Sequence, residues 1–315
     1  MNILITGAAG YIGSVICKMA YEEGHGVTGV DINNPDHNFF HTFVKAEAGD
    51  DVLLQFIKLN EIDIVFHLAA SADVADSVLR PAHYFKNNLG QTTRLVDNLN
   101  SIGWEGKLIF SSTAAVYGEG VGEPFSEDSK LSPVNPYGDS KLACEEVIEN
   151  ICNRTGMKAI IFRYFNVVGA NENIGDHLDS GHVIQKLCKS VMTNDQFNVF
   201  GHNLPSRDGT CIRDYVHVND IARAHFHACD LLNKQDFGIY NLGTNKGISV
   251  RELVTEFENI TGQEVLWFNK EPRDGDPVFL VADPSKFIDT GFEYKYSNMN
   301  EIITSAWESF KDRWK

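Results

Sequence analysis

Gly7-Ala8-Ala9-Gly10-Tyr11-Ile12-Gly13 follows the apolar run Asn2 to Thr6 and leads into an amphipathic stretch from Tyr11 to Glu23. A strand that turns through glycines straight into a helix leaves few options for what comes next. Glycines permit the tight turn and let backbone N–H groups approach an anionic ligand at the helix N-terminus. The same rhythm continues through the first half. Ile3 to Thr6, Gly26 to Asp31, Ile62 to Ala69, Lys107 to Ser112 and Lys158 to Val168 read as strands, and Tyr11 to Glu23, Val52 to Asn60, Leu79 to Ile102 and Tyr137 to Asn153 as helices. Strands that are apolar throughout, alternating with helices, predict an α/β fold built on a doubly wound parallel sheet covered on both faces.

Beyond Gly169 the rhythm changes. Asn171 to Asp179 is polar and loop-like, and shorter strands (Phe197 to Gly201, Phe237 to Leu242, Glu264 to Phe268) mix with helices (His182 to Met192, Val218 to Asn233, Val250 to Thr261, Glu301 to Trp314). Gly118 to Asn135, rich in Gly, Pro and acidic residues, reads as a loop. We therefore expect a first domain over 1–169, with a segment near 212–245 returning to it, and a smaller C-terminal α/β domain over 170–315. The formal charge of −16 provides no basic stripe, so nucleic acid and anionic membrane surfaces are not expected partners. The six cysteines are scattered with no C-x-x-C pair, which suits buried free thiols better than disulfides or a metal site. No stretch is long enough to span a bilayer, and a cytoplasmic protein is expected.

Two groups of residues carry chemistry. Asp31, at the end of the second strand, can accept from the adenosine ribose hydroxyls of a dinucleotide and would repel a 2′-phosphate, which favours NAD over NADP. Tyr137 and Lys141 are i and i+4 just after Pro133 and Pro136, so they share one face of a helix near its start. An ammonium beside a phenol favours the phenolate and is expected to lower the tyrosine pKa.

The glycine turn, Ser111-Ser112-Thr113 at the end of an apolar run, and Tyr137-Gly138-Asp139-Ser140-Lys141 together resemble the extended short-chain dehydrogenase/reductase superfamily, in its nucleotide-sugar epimerase and dehydratase branch. The resemblance implies a Rossmann-type cofactor domain. It implies that NAD is held by Gly7, Gly10, Tyr11, Ile12, Gly13, Asp31 and Asn33, by Asp50 and Asp51, and by Leu68, Ala69 and Ala70. Asn88, Ser111, Tyr137, Lys141 and Phe165 complete that set. His67 reads as a packed strand-end histidine in preference to a base. Thr113 falls at the family's Ser/Thr position, where a hydroxyl bonds the sugar and Tyr137. Dehydratases resemble T-D-E or S-E at the next positions, whereas here Ala114 and Ala115 cannot move protons. The sequence therefore looks like an epimerase.

Arg163-Tyr164-Phe165-Asn166-Val167-Val168-Gly169-Ala170 and Asp208 to Val218 are similar to motifs of the UDP-glucose 4-epimerases. That resemblance implies a UDP-sugar site made of Thr113, Tyr137, Asn166, His182, Asn198, Val199, Phe200, Arg213, Arg273, Asp276 and Leu280, with no metal. Asp208, Asp214 and Asp220 read as structural. Two departures bear on diphosphate contact: Ala72 stands where some of these epimerases carry Lys, and Gln185 replaces a usual proline after His182. The implied activity interconverts UDP-glucose and UDP-galactose by oxidation at C4, rotation of the 4-keto sugar and re-reduction, in a homodimer. A 4-epimerase of another UDP-sugar (N-acetylated, pentose or uronate) and a non-catalytic NAD(H)-binding regulator are the other readings. Leu280 bears on the first of these, since the resemblance places it at the wall facing the sugar's 2-substituent.

Overall fold

The structure is a computed structural model that describes residues 1–120, 122–273 and 276–314. Asp274 and Gly275 of the Arg273-to-Asp276 motif lie outside the described residues. In chain order the elements begin with β1 (Asn2–Thr6), α1 (Tyr11–Glu22), β2 (Gly26–Asp31), β3 (Thr42–Lys45), α2 (Val52–Leu59) and β4 (Ile64–His67). There follow α3 (Val74–Leu79), α4 (Pro81–Tyr84), a π-helical turn at Phe85–Leu89, α5 (Gly90–Ser101), β5 (Lys107–Thr113), α6 (Pro136–Thr155), β6 (Lys158–Tyr164) and β7 (Asn166–Val168). The remainder comprises β8 (Ala170–Asn171), β9 (Ile174–Gly175), α7 (Val183–Thr193), β10 (Phe197–Phe200), β11 (Ile212–His217), α8 (Val218–Leu231), β12 (Phe237–Leu242) and β13 (Gly247–Ser249). The chain closes with α9 (Val250–Thr261), β14 (Trp267–Lys270), β15 (Phe279–Leu280), α10 (Ser285–Ile288) and α11 (Met299–Arg313).

The chain forms two compact units. The first comprises Met1–Val116, Pro133–Arg163 and Ala222–Tyr240. Among the described residues its sheet has seven strands in the order β12-β6-β5-β4-β1-β2-β3. The β1–β2, β1–β4, β4–β5 and β2–β3 pairs are all parallel. The order runs outward from β1 in both directions, the doubly wound arrangement predicted from the alternation. Its core packs Leu4, Val30, Val65, Leu108, Phe110 and Ile161 of the sheet against Leu95, Leu99, Cys144 and Ile148 of α5 and α6. All six cysteines are buried and free.

The second unit comprises Tyr117–Ser132, Tyr164–Ile221 and Asn241–Lys315. It is held by small sheets: β11 pairs with β13 antiparallel and with β15 and β7 in parallel, and β10 pairs with β14 in parallel. Its own core joins Ile184, Leu187 and Cys188 of α7 to Leu253, Val254 and Phe257 of α9 and Ile302, Ile303, Ala306 and Phe310 of α11.

Three boundaries differ from the sequence reading. The helix expected over Leu79 to Ile102 is broken at Arg80, because Pro81 disfavours a helical residue before it and Arg80 sits at φ −131, ψ 53. It then passes through the π turn before α5. The strand expected over Lys158 to Val168 changes partners at Phe165, whose N–H donates to Leu242 O at 3.0 Å, and β7 continues in a different sheet against β11. The strand expected over Glu264 to Phe268 lies at Trp267–Lys270, in register with Phe197–Phe200. Among the described residues no helix is long and apolar enough to cross a membrane.

Candidate active site

In the first unit, the turn after β1 exists because its glycines cannot be replaced. Gly7 has φ +75, and a Cβ there would sit 2.9 Å from the backbone nitrogen of Ala69. A Cβ on Gly13 would fall 2.0 Å from Gly7 O. Gly10 opens α1 without a side-chain cap, and the first turn, which includes Tyr11, Ile12 and Gly13, holds no acidic residue. The turn is thus bare backbone at the positive end of a helix, the local chemistry that a pyrophosphate requires. Asp31 reaches back to it: its Oδ2 accepts the Ala9 N–H at 3.0 Å and its Oδ1 the Asn33 N–H at 2.8 Å. Leu68, Ala69 and Ala70 line the next loop, where Ala69 N–H donates to Thr6 Oγ1 at 3.2 Å. These residues fit a dinucleotide.

Other residues expected near the cofactor are tied into the scaffold. Asp50 Oδ2 accepts the Glu47 N–H at 2.9 Å, and Asp51 Oδ1 lies 3.2 Å from Asn98 Nδ2 and 3.4 Å from Arg94 Nη2. Asn88, buried in the π turn, accepts the Ser71 N–H at 2.8 Å and donates through Nδ2 to Ser71 O and Ser140 Oγ, both at 3.0 Å. Its carboxamide therefore ties the loop after Ala70 to α6. His67 is fully buried, with Nδ1 2.7 Å from Thr6 Oγ1 and Nε2 2.9 Å from Thr92 Oγ1. Burial pushes its pKa down to about 3, helped by Lys141, so it is a neutral packing residue.

Tyr137 is positioned by the start of α6. Pro136 is the first helical residue, and the Asn135 side chain caps the helix by accepting the Gly138 N–H at 2.9 Å. A Cβ on Gly138 would meet Ala115 O at 2.7 Å, so glycine lets the helix close onto the turn at Ala114–Val116. This brings Tyr137 close enough to Thr113, at the end of β5 beside the buried Ser111, for the Thr113 hydroxyl to favour the ionised phenol. Lys141, 2% exposed, holds its Nζ over the Phe110 ring at 4.2 Å. Burial pulls the Lys141 pKa down to about 8, against the charges of Cys144 and Glu145. The sequence led us to expect a lowered tyrosine pKa. Instead, burial pushes the Tyr137 phenol up and the Thr113 hydroxyl only partly offsets it. Desolvation is the largest influence on the phenol, and the charge of Cys144 adds to it.

In the second unit, a connected set gathers around β11. Arg213 donates from Nη2 to Asp276 Oδ1 at 2.7 Å, and it faces Leu280 across the β11–β15 pair. The Arg273 guanidinium stacks 3.6 Å from the Phe200 ring centroid, on β10 with the exposed Asn198 and the buried Val199. Elsewhere, Asn166 donates its carboxamide to Asp214 O at 3.1 Å. Phe165 is buried, with its ring 6.3 Å from that of Tyr117. His182, at the N-cap of α7, holds Nδ1 2.6 Å from Asp176 Oδ2. Asp214 accepts four backbone or hydroxyl donors from Thr244, Asn245 and Ala282, and Asp220 accepts from Lys295, Tyr296 and Ser297. Both are structural anchors, and no metal-binding cluster occurs among the described residues.

Two partners of these residues were not anticipated from the sequence. Asp176 sits in a stretch read only as polar loop, and Glu145 binds Arg163 and Ser112 beneath the Tyr137–Lys141 pair. The i+4 spacing from Lys141 to Glu145 was the available signal for the second.

Known proteins resemble the chain over its full length. The chain is 37% identical over 322 residues to the UDP-glucose 4-epimerase of Halalkalibacterium halodurans, covering 99% of this chain and 96% of that one. It superposes with a TM-score of 0.93 on the UDP-glucose 4-epimerase of Stenotrophomonas maltophila, solved with NAD and formylated UDP-arabinopyranose, at 32% identity and covering 100% and 99% of the two chains. The Brucella ovis UDP-glucose 4-epimerase, solved with NAD, gives 0.92 at 34% identity over 98% of each chain. The sequence model of the NAD dependent epimerase/dehydratase family matches residues 3–243. On fold, motifs and these matches, the chain belongs to the NAD dependent epimerase/dehydratase family.

Proposed function

We propose that this protein is an NAD-dependent UDP-glucose 4-epimerase that interconverts UDP-glucose and UDP-galactose. The observation that carries the reading is the Thr113–Tyr137–Lys141 constellation followed by two alanines, Ala114 and Ala115. It offers one acid/base group and no carboxyl at the dehydratase positions.

Gly7, Gly10, Tyr11, Ile12, Gly13 and Asp31 hold the cofactor through the bare turn and the ribose-facing carboxylate. NAD, when bound, supplies the electron acceptor for oxidation at C4 of the sugar and the donor for its re-reduction. Tyr137 takes the proton from the 4-hydroxyl and returns it after the 4-keto sugar has rotated. For that the phenol must first lose its own proton, which burial resists. The Thr113 hydroxyl stabilises the phenolate by hydrogen bonding and aligns the sugar hydroxyl, and the Lys141 ammonium favours it by charge. In the second unit, Arg213 and Arg273 grip the diphosphate, because the planar guanidinium matches phosphate oxygens. Asp276, Phe200 and the backbone of Asn198 and Val199 position the rest of the nucleotide, and Leu280 bounds the sugar. We thus assign cofactor binding mainly to the first unit and nucleotide-sugar binding mainly to the second.

A second sugar is favoured by one fact: the Stenotrophomonas relative was solved with a modified UDP-pentose. Purified protein incubated with a panel of UDP-sugars, with the products resolved by chromatography, tests both readings. Conversion of UDP-glucose to UDP-galactose is expected, and turnover of another UDP-sugar alone would replace this assignment. We further infer a homodimer in galactose metabolism, formed through the helical stretches Leu79 to Ile102 and Tyr137 to Asn153 packed as a four-helix bundle. The exposed Leu79 and Phe85 support that surface, and the buried free thiols suit a reducing, cytoplasmic setting.

A further inference from the structure

A buried ionic cluster beside the candidate catalytic residues has no part in the steps above. Glu145 lies one turn after Lys141 on α6. Arg163, near the end of β6, places Nη2 2.7 Å from Glu145 Oε2 and Nε 3.2 Å from each carboxylate oxygen. Ser112, the residue before Thr113 on β5, donates its hydroxyl to Glu145 Oε1. The Arg163 and Glu145 side chains are 3% and 4% exposed.

One carboxylate therefore bonds two neighbouring strands of the parallel sheet to the helix that carries Tyr137. Stability alone is a weak reason to keep such a pair, since well-packed apolar residues often replace buried ion pairs without loss. What the pair does supply is a single allowed position for each partner. We propose that Glu145 is a positioning residue of the epimerase reaction, fixing Ser112, and with it Thr113, against the turn of α6 that bears Tyr137 and Lys141. The inference rests on the reading of those three residues as the catalytic set. Glu145 also faces the Lys141 ammonium. Among the described residues the other titratable groups acting there are Cys144 on the same helix and the neutral His67 on β4.

The test is a set of variants of the full-length protein assayed for kcat, KM, pH profile and melting temperature. Glu145→Gln should lower kcat about 10²-fold, as expected for an ångström-scale misplacement of catalytic groups, with KM within about threefold. The alkaline limb of its kcat profile should move to lower pH. Ser112→Ala leaves the Arg163–Glu145 pair intact and so separates positioning from folding. It should lower kcat about 10-fold with KM held, and it should add nothing in a Thr113→Ala background. If Thr113→Ala is slow but Ser112→Ala and Glu145→Gln turn over at the parent rate, merely melting earlier, the proposal is overturned and the catalytic reading stands. Additive losses in the Ser112/Thr113 cycle also overturn it. A silent Thr113→Ala removes both the proposal and the reading beneath it.

Discussion

The two units hold their polar groups in opposite ways. In the first, Thr113, Lys141 and Glu145 sit inside a sheet-and-helix framework, with Lys141 2% exposed over the Phe110 ring and Glu145 fixed by buried bonds to Ser112 and Arg163. In the second, Arg213 and Arg273 lie on short strands and turns, occupied by Asp276 and by the face of Phe200. The first arrangement suits chemistry at one atom, where position and protonation must be set beforehand. The second suits capture of a large anion, because guanidinium groups held by an exposed carboxylate or a ring can exchange those partners for phosphate. Desolvation governs the first region and exchangeable polar contact the second.

The comparison breaks first at Tyr137. Tyr137→Phe deletes an oxygen and little volume, and it should reduce turnover by about 10²–10⁴-fold while NAD remains bound, read by mass spectrometry of the denatured supernatant. A near-parental rate would mean that the rigid region is not where the proton moves. Lys141 then tests whether that rigidity is held against the fold. Its pKa is drawn down to about 8 from the ordinary 10.5, so below about pH 8 the folded state bears the full burden of a buried ammonium. Between those values the unfolded chain keeps a proton that the folded chain has lost, and stability rises with pH. Lys141→Met should therefore be inactive yet more stable at pH 7, by on the order of 3 kcal/mol. The difference should fade by pH 10 or so in denaturant titrations.

The second region should respond in KM. Arg213→Ala is expected to raise KM for the UDP-sugar by roughly 10–150-fold, the equivalent of about 1.5–3 kcal/mol for a charged hydrogen bond, with kcat little changed. A fall in kcat with KM constant would place Arg213 with the catalytic groups and erase the contrast. Leu280 sharpens it most finely. Leu280→Ser should raise the N-acetylated to plain ratio of kcat/KM by about 10-fold, and Leu280→Tyr should lower it. If both leave the ratio unchanged, Leu280 does not bound the sugar.

The same contrast explains what could be read from the sequence. The parallel sheet was legible because its strands are apolar on both faces and its helices announce themselves: Pro133 and Pro136 lead into α6, whose start at Pro136 lies within a residue of the expected Tyr137. The glycine turn was legible because no other residue tolerates its geometry. The second unit gave weaker signals. Its strands are as short as the two residues of β15, and what stabilises them is pairing with distant partners, which a local pattern does not carry. The change of sheet at Phe165 is invisible for that reason: β6 and β7 are one apolar run, and only their neighbours differ. Within the candidate site the types of the side chains were readable, but their surroundings were not. Burial reversed the expected direction for Tyr137, and Asn88 proved to be hydrogen-bonded to Ser71 and Ser140.

The π turn at Phe85–Leu89 has an evolutionary consequence. A π turn holds one more residue than the α-helical turn it interrupts. Deleting a residue from this segment would replace it with a regular α-helical turn and change the direction in which its own side chains point. Asn88 would swing away from Ser71 and Ser140, releasing the loop that follows Ala70. Descendants of this chain can thus vary the side chains of this turn other than Asn88 more readily than they can vary its length.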